Sequence, residues 1–204
     1  MIRQIVFDLD GVLFDGCNLH AEIFIQAVNM IVPEWNLTRK YHDEVLCGLS
    51  TKKKLENMGI TGSKAEEVYA LKQKLTGEEI SNHIHPDLKV QEICRVLTEG
   101  GYKIYCVSNS IRSTVEVCLR GMGVIQYFSG IISNEDTAAP KPSPEPYLTL
   151  FRGHRLQAEE CLIVEDSPFG IESATKSGGK VLAVKDCSEV TLEKIWEYTV
   201  KYRS

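Results

Sequence analysis

Four carboxylates stand at two places where a short apolar run of this 204-residue sequence ends. Each pair directly follows its run, residues 4–7 before Asp8 and Asp10 and residues 161–164 before Glu165 and Asp166. Such runs predict strands that are buried on both faces of a parallel sheet. Because ligands bind beyond the carboxyl ends of parallel strands, we expect all four carboxylates at one edge of the sheet.

Hydroxyl, amide and amine groups are predicted at the same edge. Ser108 and Asn109 follow the apolar run 103–107, and Lys141 lies in the loop after a further predicted strand at residues 130–132. Closely packed carboxylates stay ionised only beside a cation, and oxygen ligands favour a hard ion such as Mg²⁺. With Mg²⁺ and Lys141 in place, the edge would attract a phosphate group. Ser108, Asn109 and free N–H groups at the next helix start are the candidates to bind it.

The nucleophile follows by elimination. These motifs contain no cysteine, no histidine and no Ser/His/Asp arrangement, which leaves a carboxylate to attack phosphorus and form an aspartyl-phosphate. Asp8 is the candidate, since a carboxylate is ionised at pH 7 and needs no base. Asp10 is the candidate to protonate the departing alkoxide and then to deprotonate the water that hydrolyses the intermediate.

The composition excludes several classes of protein. Hydrophobic residues make up 43% and charged residues 25%, which is near the globular average and excludes disordered, collagen-like and coiled-coil chains. A net charge of -5 gives no global attraction to nucleic acid or anionic membranes. Seven cysteines without a C-x-x-C motif predict free thiols in a reducing compartment. No apolar run reaches the ~20 residues of a membrane span. We therefore expect a cytoplasmic protein without nucleic-acid or membrane partners.

Alternating strand and helix patterns predict an α/β fold with a doubly wound parallel sheet. Besides the runs above, a strand is predicted at 180–184 and helices at 87–99, 110–119 and 168–176. The stretch between the first strand and the rest of the sheet predicts only helices, at 18–31, 38–47, 51–58 and 63–81, with Pro33, Gly48 and residues 59–62 as boundaries. We predict a core of residues 1–15 and 86–204 with a helical insertion of residues 16–85.

Four motifs, occurring in order, resemble those of the haloacid dehalogenase-like hydrolase superfamily. They are Asp8-Leu9-Asp10-Gly11-Val12-Leu13-Phe14-Asp15, Val107-Ser108-Asn109-Ser110, Lys141-Pro142-Ser143-Pro144-Glu145-Pro146-Tyr147 and Glu165-Asp166-Ser167-Pro168-Phe169-Gly170-Ile171. The insertion after the first motif resembles the small helical cap of the β-phosphoglucomutase-like and phosphatase branch. The resemblance implies a Rossmann-like core and a hydrolase that acts on a small phosphate ester with Mg²⁺ as cofactor.

The resemblance also implies roles for the carboxylates. Asp8 would be the nucleophile and a metal ligand, and Asp10 the acid/base that binds the metal through its backbone carbonyl. Asp166 would be a further metal ligand, supported by Glu165 directly or through water.

The remaining roles implied concern phosphate and substrate. Ser108 and Lys141 would hold the phosphoryl group, and His20 matches a position that meets the acid/base in some relatives. Lys53 and Lys72 are the other candidates for substrate contact in the insertion. Against this, the lysine run at 52–54 is typical of a solvated helix start.

Differences between these motifs and those of related enzymes reduce the number of activities that we expect. Dehalogenases lack the second aspartate, whereas Asp10 is present here. Phosphonatases have another residue at that position and a cap lysine that forms a Schiff base. In β-phosphoglucomutase an arginine follows the cap's Gly-x-Ser, but Thr51 follows Gly48-Leu49-Ser50 here. We therefore expect a Mg²⁺-dependent phosphatase, with a sugar phosphomutase as the alternative. A non-catalytic binding protein on the same scaffold is disfavoured because Asp8 and Asp10 are both present.

Overall fold

The computed structural model describes residues 1–47 and 49–202. Within these ranges five parallel strands form one sheet in the order β3-β2-β1-β4-β5. The strands are β1 (Gln4–Phe7), β2 (Lys103–Val107), β3 (Phe128–Ile132), β4 (Cys161–Glu165) and β5 (Lys180–Ala183). Val6 in the central strand lies opposite Tyr105 of β2 and Ile163 of β4, and all three are buried. The predicted α/β fold with a parallel sheet is confirmed.

The chain divides into two compact units. The α/β unit comprises Met1–Asp15 and Ile84–Ser204, and it contains the sheet. The helical unit comprises Gly16–His83. Each unit buries a cluster of apolar side chains of its own.

The helical unit contains α1 (Cys17–Ile31), α2 (Arg39–Tyr41), α3 (Thr51–Asn57) and α4 (Gly62–His83). The single helix predicted at 38–47 is in fact α2 followed by a π-helical turn at His42–Leu46. The side chain of Thr38 caps α2 by accepting a hydrogen bond from the N–H of Tyr41. Gly48, which we predicted as a helix boundary, lies outside the described residues.

The α/β unit contains α5 (Leu88–Glu99), α6 (Arg112–Gly121), α7 (Glu145–His154), α8 (Pro168–Lys176) and α9 (Leu192–Lys201). The sequence patterns predicted neither α7 nor α9. Prolines at 144 and 146 favoured a loop, but proline is tolerated in the first turn of a helix, where α7 carries it. Across the part of the chain that the structure describes, no helix is both long and apolar enough to cross a membrane.

Candidate active site

Three adjacent strands bring the predicted site residues to one edge of the sheet. Asp8 follows β1, Ser108 follows β2, and Glu165 is the last residue of β4. The N–H of Asp8 donates to the carbonyl of Val164 at 3.0 Å, and the N–H of Ser108 donates to the carbonyl of Ile132 at 2.9 Å. The strand ladder therefore continues into the site and fixes the direction of both residues. The order of strands also places the site where β2 and β4 flank β1 on opposite sides, the usual ligand crevice of such sheets.

Lys141 links the carboxylates of β1 and β4. Its Nζ donates to Asp8 Oδ1 at 2.7 Å, to Glu165 Oε1 at 2.5 Å and to the carbonyl of Val107 at 2.8 Å. These bonds use all three N–H donors of the ammonium group. Burial would lower the pKa of Lys141, but the carboxylates of Asp8 and Glu165 more than reverse this and hold that pKa well above its usual value. Lys141 is therefore charged and orients Asp8.

Glu165 is fully buried at 0% exposure and is held at both of its oxygens. Oε1 also accepts a hydrogen bond from the hydroxyl of Tyr147 at 2.9 Å, and Oε2 accepts one from the hydroxyl of Ser167 at 3.3 Å. A Cβ at Gly170 would overlap the Glu165 carboxylate, so this position requires glycine. No local pattern assigns a role to Tyr147, because Tyr147 lies in α7 and its partner Glu165 lies in β4.

A cation fits among the carboxylates. Asp8, Glu165 and Asp166 each offer an oxygen within 4.8 Å of the others. Oδ1 of Asp166 is buried and has no hydrogen-bond partner among the residues that the structure describes. Burial, with the charge of Glu165 as the next cause, raises the pKa of Asp166 to about 6. Burial likewise raises the pKa of Asp8 well above its usual value, although Lys141 opposes it. A divalent ion would offset the excess negative charge and give Asp166 Oδ1 a partner.

The loop after β2 forms hydrogen bonds with the side chain of Asp10 and with the backbone of Lys141. Ser110 Oγ donates to Asp10 Oδ2 at 2.9 Å, and the N–H of Ser110 donates to Ser108 Oγ at 2.9 Å. The side-chain amide of Asn109, a predicted phosphate ligand, instead pairs with the backbone of Lys141, accepting from its N–H at 3.1 Å and donating to its carbonyl at 3.4 Å. Ser110 does not begin α6, whose N-cap is Ile111. Its role as the partner of Asp10 was not predicted.

The candidates in the helical unit fall into different environments. His20 Nδ1 lies 3.4 Å from Lys72 Nζ, and Lys72 is only 9% exposed. Lys53 is exposed and donates to Glu56 Oε2 at 2.9 Å, an ordinary surface ion pair. The structure therefore brings His20 and Lys72 together and leaves Lys53 apart from them.

Lys54 is a buried residue of the helical unit whose burial the residue type did not predict. We expected the lysine run to be solvated, but Lys54 is 9% exposed and its Nζ lies 2.8 Å from His42 Nε2. The expectation was wrong for this residue because Lys54 precedes the buried Met58 by four positions and lies on the same face of the helix. That spacing was the available signal.

Comparisons with known proteins place the chain among hydrolases. The sequence model of the haloacid dehalogenase-like hydrolases matches residues 5–184. Pyrophosphatase PpaX from Bacillus cereus (strain Q1) is 28% identical over 189 residues, which cover 90% of this chain and 83% of that protein. β-Phosphoglucomutase from Clostridium difficile superposes with a TM-score of 0.77 and 23% identity over 99% of both chains. CbbY from Rhodobacter sphaeroides, crystallised with phosphate, superposes with a TM-score of 0.79 and 20% identity over 94% of this chain and 91% of its own. The two structures share the fold.

Proposed function

We propose that this chain, which belongs to the haloacid dehalogenase-like hydrolase family, is a Mg²⁺-dependent phosphatase that hydrolyses a small phosphate monoester through an aspartyl-phosphate. One observation carries the proposal. A buried carboxylate, Asp8, directly follows the central strand and is held by the ammonium group of Lys141 at 2.7 Å. Beside it, an oxygen of Asp166 lacks a partner in the described residues and is suited to a cation.

The first step is the attack of Asp8 on phosphorus. Because Lys141 binds Oδ1, the other oxygen of Asp8 is the one that forms the new bond to phosphorus. The bond from phosphorus to the leaving alkoxide breaks at the same time, and the carboxyl group of Asp10 gives its proton to that alkoxide. Ser110 fixes the direction of Asp10 by donating to its Oδ2.

The second step returns the site to its starting state. Asp10, now a carboxylate, takes a proton from water as that water attacks phosphorus. The bond between Asp8 and phosphorus breaks, and inorganic phosphate leaves. The hydroxyl of Ser108 and the charge of Lys141 are the groups on this edge that would hold the phosphoryl oxygens during both steps.

Mg²⁺ would be held by the carboxylates of Asp8 and Asp166, with Glu165 behind them. When bound, it supplies the positive charge that lets a phosphate dianion approach a cluster of carboxylates. Glu165 binds Lys141 and Tyr147 through Oε1 and accepts from Ser167 through Oε2, so it would support the cation directly or through water.

The helical unit is our candidate for the substrate-selecting cap. His20 and Lys72 remain its candidate contacts, because they lie together and Lys72 is buried. The exposed ion pair of Lys53 with Glu56 gives no reason to keep Lys53 among them. Since one relative is a pyrophosphatase, pyrophosphate belongs with sugar phosphates among the first compounds to test.

The direct test is phosphate release from an aryl phosphate. We expect activity with Mg²⁺, loss with a chelator and recovery when Mg²⁺ is added back. The Asp8→Asn variant should release no phosphate, while Asp87→Asn should match the unmodified chain. Asp87 caps α5 by accepting from the N–H of Val90, and asparagine caps a helix equally well. Full activity of Asp8→Asn would overturn the assignment of the nucleophile.

The same test separates hydrolysis from the phosphomutase alternative. A mutase would convert hexose 1-phosphate into hexose 6-phosphate without net release of phosphate, which phosphorus NMR detects. Thr51, where β-phosphoglucomutase has an arginine, is the first residue of α3 and offers no charge for a second phosphate. We therefore expect free phosphate as the product.

A further inference from the structure

The helical unit buries an amine whose hydrogen-bond partner is an imidazole and not a carboxylate. Lys54 is 9% exposed, and its Nζ lies 5.1 Å from the ring centre of Phe24 in α1. An ammonium group only donates, so His42 Nε2 accepts from Lys54 Nζ at 2.8 Å. Lysine is almost never buried unless it is paired with a negative charge. The acceptor of Lys54 brings no such charge.

The other groups around Lys54 also disfavour its charged form. Lys72 of α4 is 9% exposed as well, and its positive charge acts on Lys54. Burial, followed by the charge of Lys72, lowers the pKa of Lys54 to about 8. Three groups oppose this shift, each with a smaller effect than Lys72: Cys47, Cys17 and Asp43. All of these residues belong to the helical unit, so the cluster is complete within one unit.

The neutral form of Lys54 is a nucleophile. At pH 8 about half of this amine is neutral, a fraction roughly a hundredfold larger than that of an ordinary lysine. His42 binds one of its N–H groups and leaves the nitrogen lone pair available for attack. A buried amine suits an electrophile that is small and uncharged, because an ion would have to lose its water. Carbon dioxide meets both conditions.

We propose that Lys54 is a site of reversible carbamate formation with carbon dioxide, and that His42 accepts the proton. The nitrogen of the neutral amine forms a bond to the carbon of CO₂, and the electron pair of one C=O bond moves to oxygen. The N–H proton that Lys54 donates to His42 moves to Nε2. The products are a carbamate anion and an imidazolium cation, so atoms and charge balance. The reverse step releases CO₂ and returns the proton to the amine.

The surroundings stabilise both products. Asp43 Oδ1 lies 3.0 Å from His42 Nδ1 and can hold a charged imidazole. Burial lowers the pKa of His42, and the charge of Lys54 adds to this, but that charge is gone once the carbamate has formed. The positive charge of Lys72 repels the ammonium form of Lys54 and attracts the carbamate. Carbamate formation thus replaces two like charges by two opposite ones.

Carbon-13 NMR with labelled bicarbonate near pH 8 detects the carbamate carbon directly. We expect a carbamate signal from the unmodified chain that is lost in Lys54→Arg, because a guanidinium group stays charged and unreactive. Trapping with triethyloxonium, which converts a carbamate into a stable ethyl ester, followed by peptide mapping, should locate the ester on Lys54. The mapping is needed because the terminal amino group of a chain also reacts with CO₂.

A second variant tests the proton acceptor. His42→Gln keeps a side chain that can bind the amine but cannot take up its proton, so carbamate occupancy should fall about tenfold, the effect of losing one charged hydrogen bond. His83→Gln, which removes an exposed imidazole of the same unit, should leave the occupancy unchanged. Lys40→Met, which removes an amine that is 83% exposed, should also leave the ester on Lys54 unchanged.

None of these measurements requires turnover, so this inference stands or fails apart from the proposed function. An undiminished signal in Lys54→Arg, or trapped esters spread equally over the lysines, would overturn the proposal. Equal occupancy in His42→Gln would refute the role of His42. If a carbamate forms on Lys54 while no phosphate ester is hydrolysed, the carbamate site stands and the phosphatase proposal fails. If esters are hydrolysed but no carbamate is trapped on Lys54, the carbamate site is refuted.

Discussion

The α/β unit and the helical unit each bury a cluster of charge, and the two clusters have opposite sign. In the α/β unit, Asp8 and Glu165 bind the ammonium group of Lys141, and Asp166 lies beside these two carboxylates. In the helical unit, Lys54 and Lys72 are buried beside imidazole rings. Burial and like charges raise the pKa of Asp166 and lower the pKa of Lys54. Both shifts disfavour the charged form of the buried groups.

The clusters also differ in how they are supported. The carboxylates sit at strand ends, where neighbouring strands fix the backbone. Glu165 accepts hydrogen bonds at both oxygens, and these bonds restrict the movement of its side chain. Lys54 reaches its position through a long side chain from the seven-residue helix α3 and is steered by one imidazole. A rigid support is what a reacting carboxylate requires, and the lysine cluster has less of it.

The largest expected difference between the clusters concerns chemistry, because in the proposed mechanism only the carboxylate cluster takes part in bond breaking. Asp10→Asn removes the acid/base and should lower kcat by about 10²- to 10⁴-fold. Ser110→Ala leaves the carboxyl group in place but removes the bond that directs it, so kcat should fall only about tenfold. Steady-state phosphate release measures both. If Asp10→Asn kept the kcat of the unmodified chain, proton transfer by Asp10 would be excluded.

The next largest expected effect is the stabilisation of the folded chain by Mg²⁺ at the carboxylate cluster. At a concentration one hundred times its dissociation constant, Mg²⁺ should raise the free energy of unfolding by about 2.7 kcal/mol. Asp166→Asn removes the oxygen that lacks a partner and should abolish most of this gain, whereas Asp87→Asn should retain it. Thermal unfolding with and without Mg²⁺ measures the effect. An equal gain in Asp166→Asn would show that the cation binds elsewhere.

Close packing around the carboxylates gives a third test. In Gly170→Ala the new methyl group overlaps the Glu165 carboxylate and should lower the free energy of unfolding by about 1–3 kcal/mol. Gly153→Ala places a methyl group in open space within α7 and should raise that free energy by up to about 1 kcal/mol. Urea unfolding of both variants decides the point. A neutral Gly170→Ala would mean that Glu165 is free to move.

The smallest expected effect concerns the lysine cluster and has the opposite sign. The pKa of Lys54 is about 8 in the folded protein and 10.5 in the unfolded chain, so its burial costs stability below pH 8, and this cost fades as the pH rises toward 10.5. Lys54→Met should therefore raise the free energy of unfolding at neutral pH by about 1–2 kcal/mol, and less at pH 10.

The control for this prediction is Lys40→Met, whose effect should stay within about 0.5 kcal/mol at any pH because the side chain is exposed. Urea unfolding at neutral pH and at pH 10 provides the comparison. If Lys54→Met destabilised the chain, the buried ammonium group would stabilise the fold and would not be a cost to it.

Much of this fold could be predicted because its signals are local. Strands β1 and β2 and helix α8 have the bounds that apolar runs and glycine stops predict, and the carboxylates follow from what ends each strand. Contacts between distant residues could not be predicted in the same way. Ser110 and Asp10 are 100 positions apart, and Tyr147 reaches a strand 18 residues away. Such pairs depend on how elements pack, which no local pattern records.

Lys54 shows most clearly that residue type alone does not predict burial. Its residue type predicts solvent, while its spacing to Met58 predicts burial, and in the structure the spacing prevails. Asn109 shows the reverse case, a residue whose type suits a ligand but whose amide is used to hold the Lys141 loop. In both cases the neighbours in space, and not the chemical type, determine what the side chain contacts.

The most direct measurement is the intact mass of the chain quenched in acid during turnover of an aryl phosphate. Asp10→Asn should accumulate one covalent phosphoryl group, because the acid/base that removes it is missing, and peptide mapping should locate that group on Asp8. The double variant Asp8→Asn with Asp10→Asn should carry none. A phosphoryl group on another residue, or turnover by Asp8→Asn, would contradict the account.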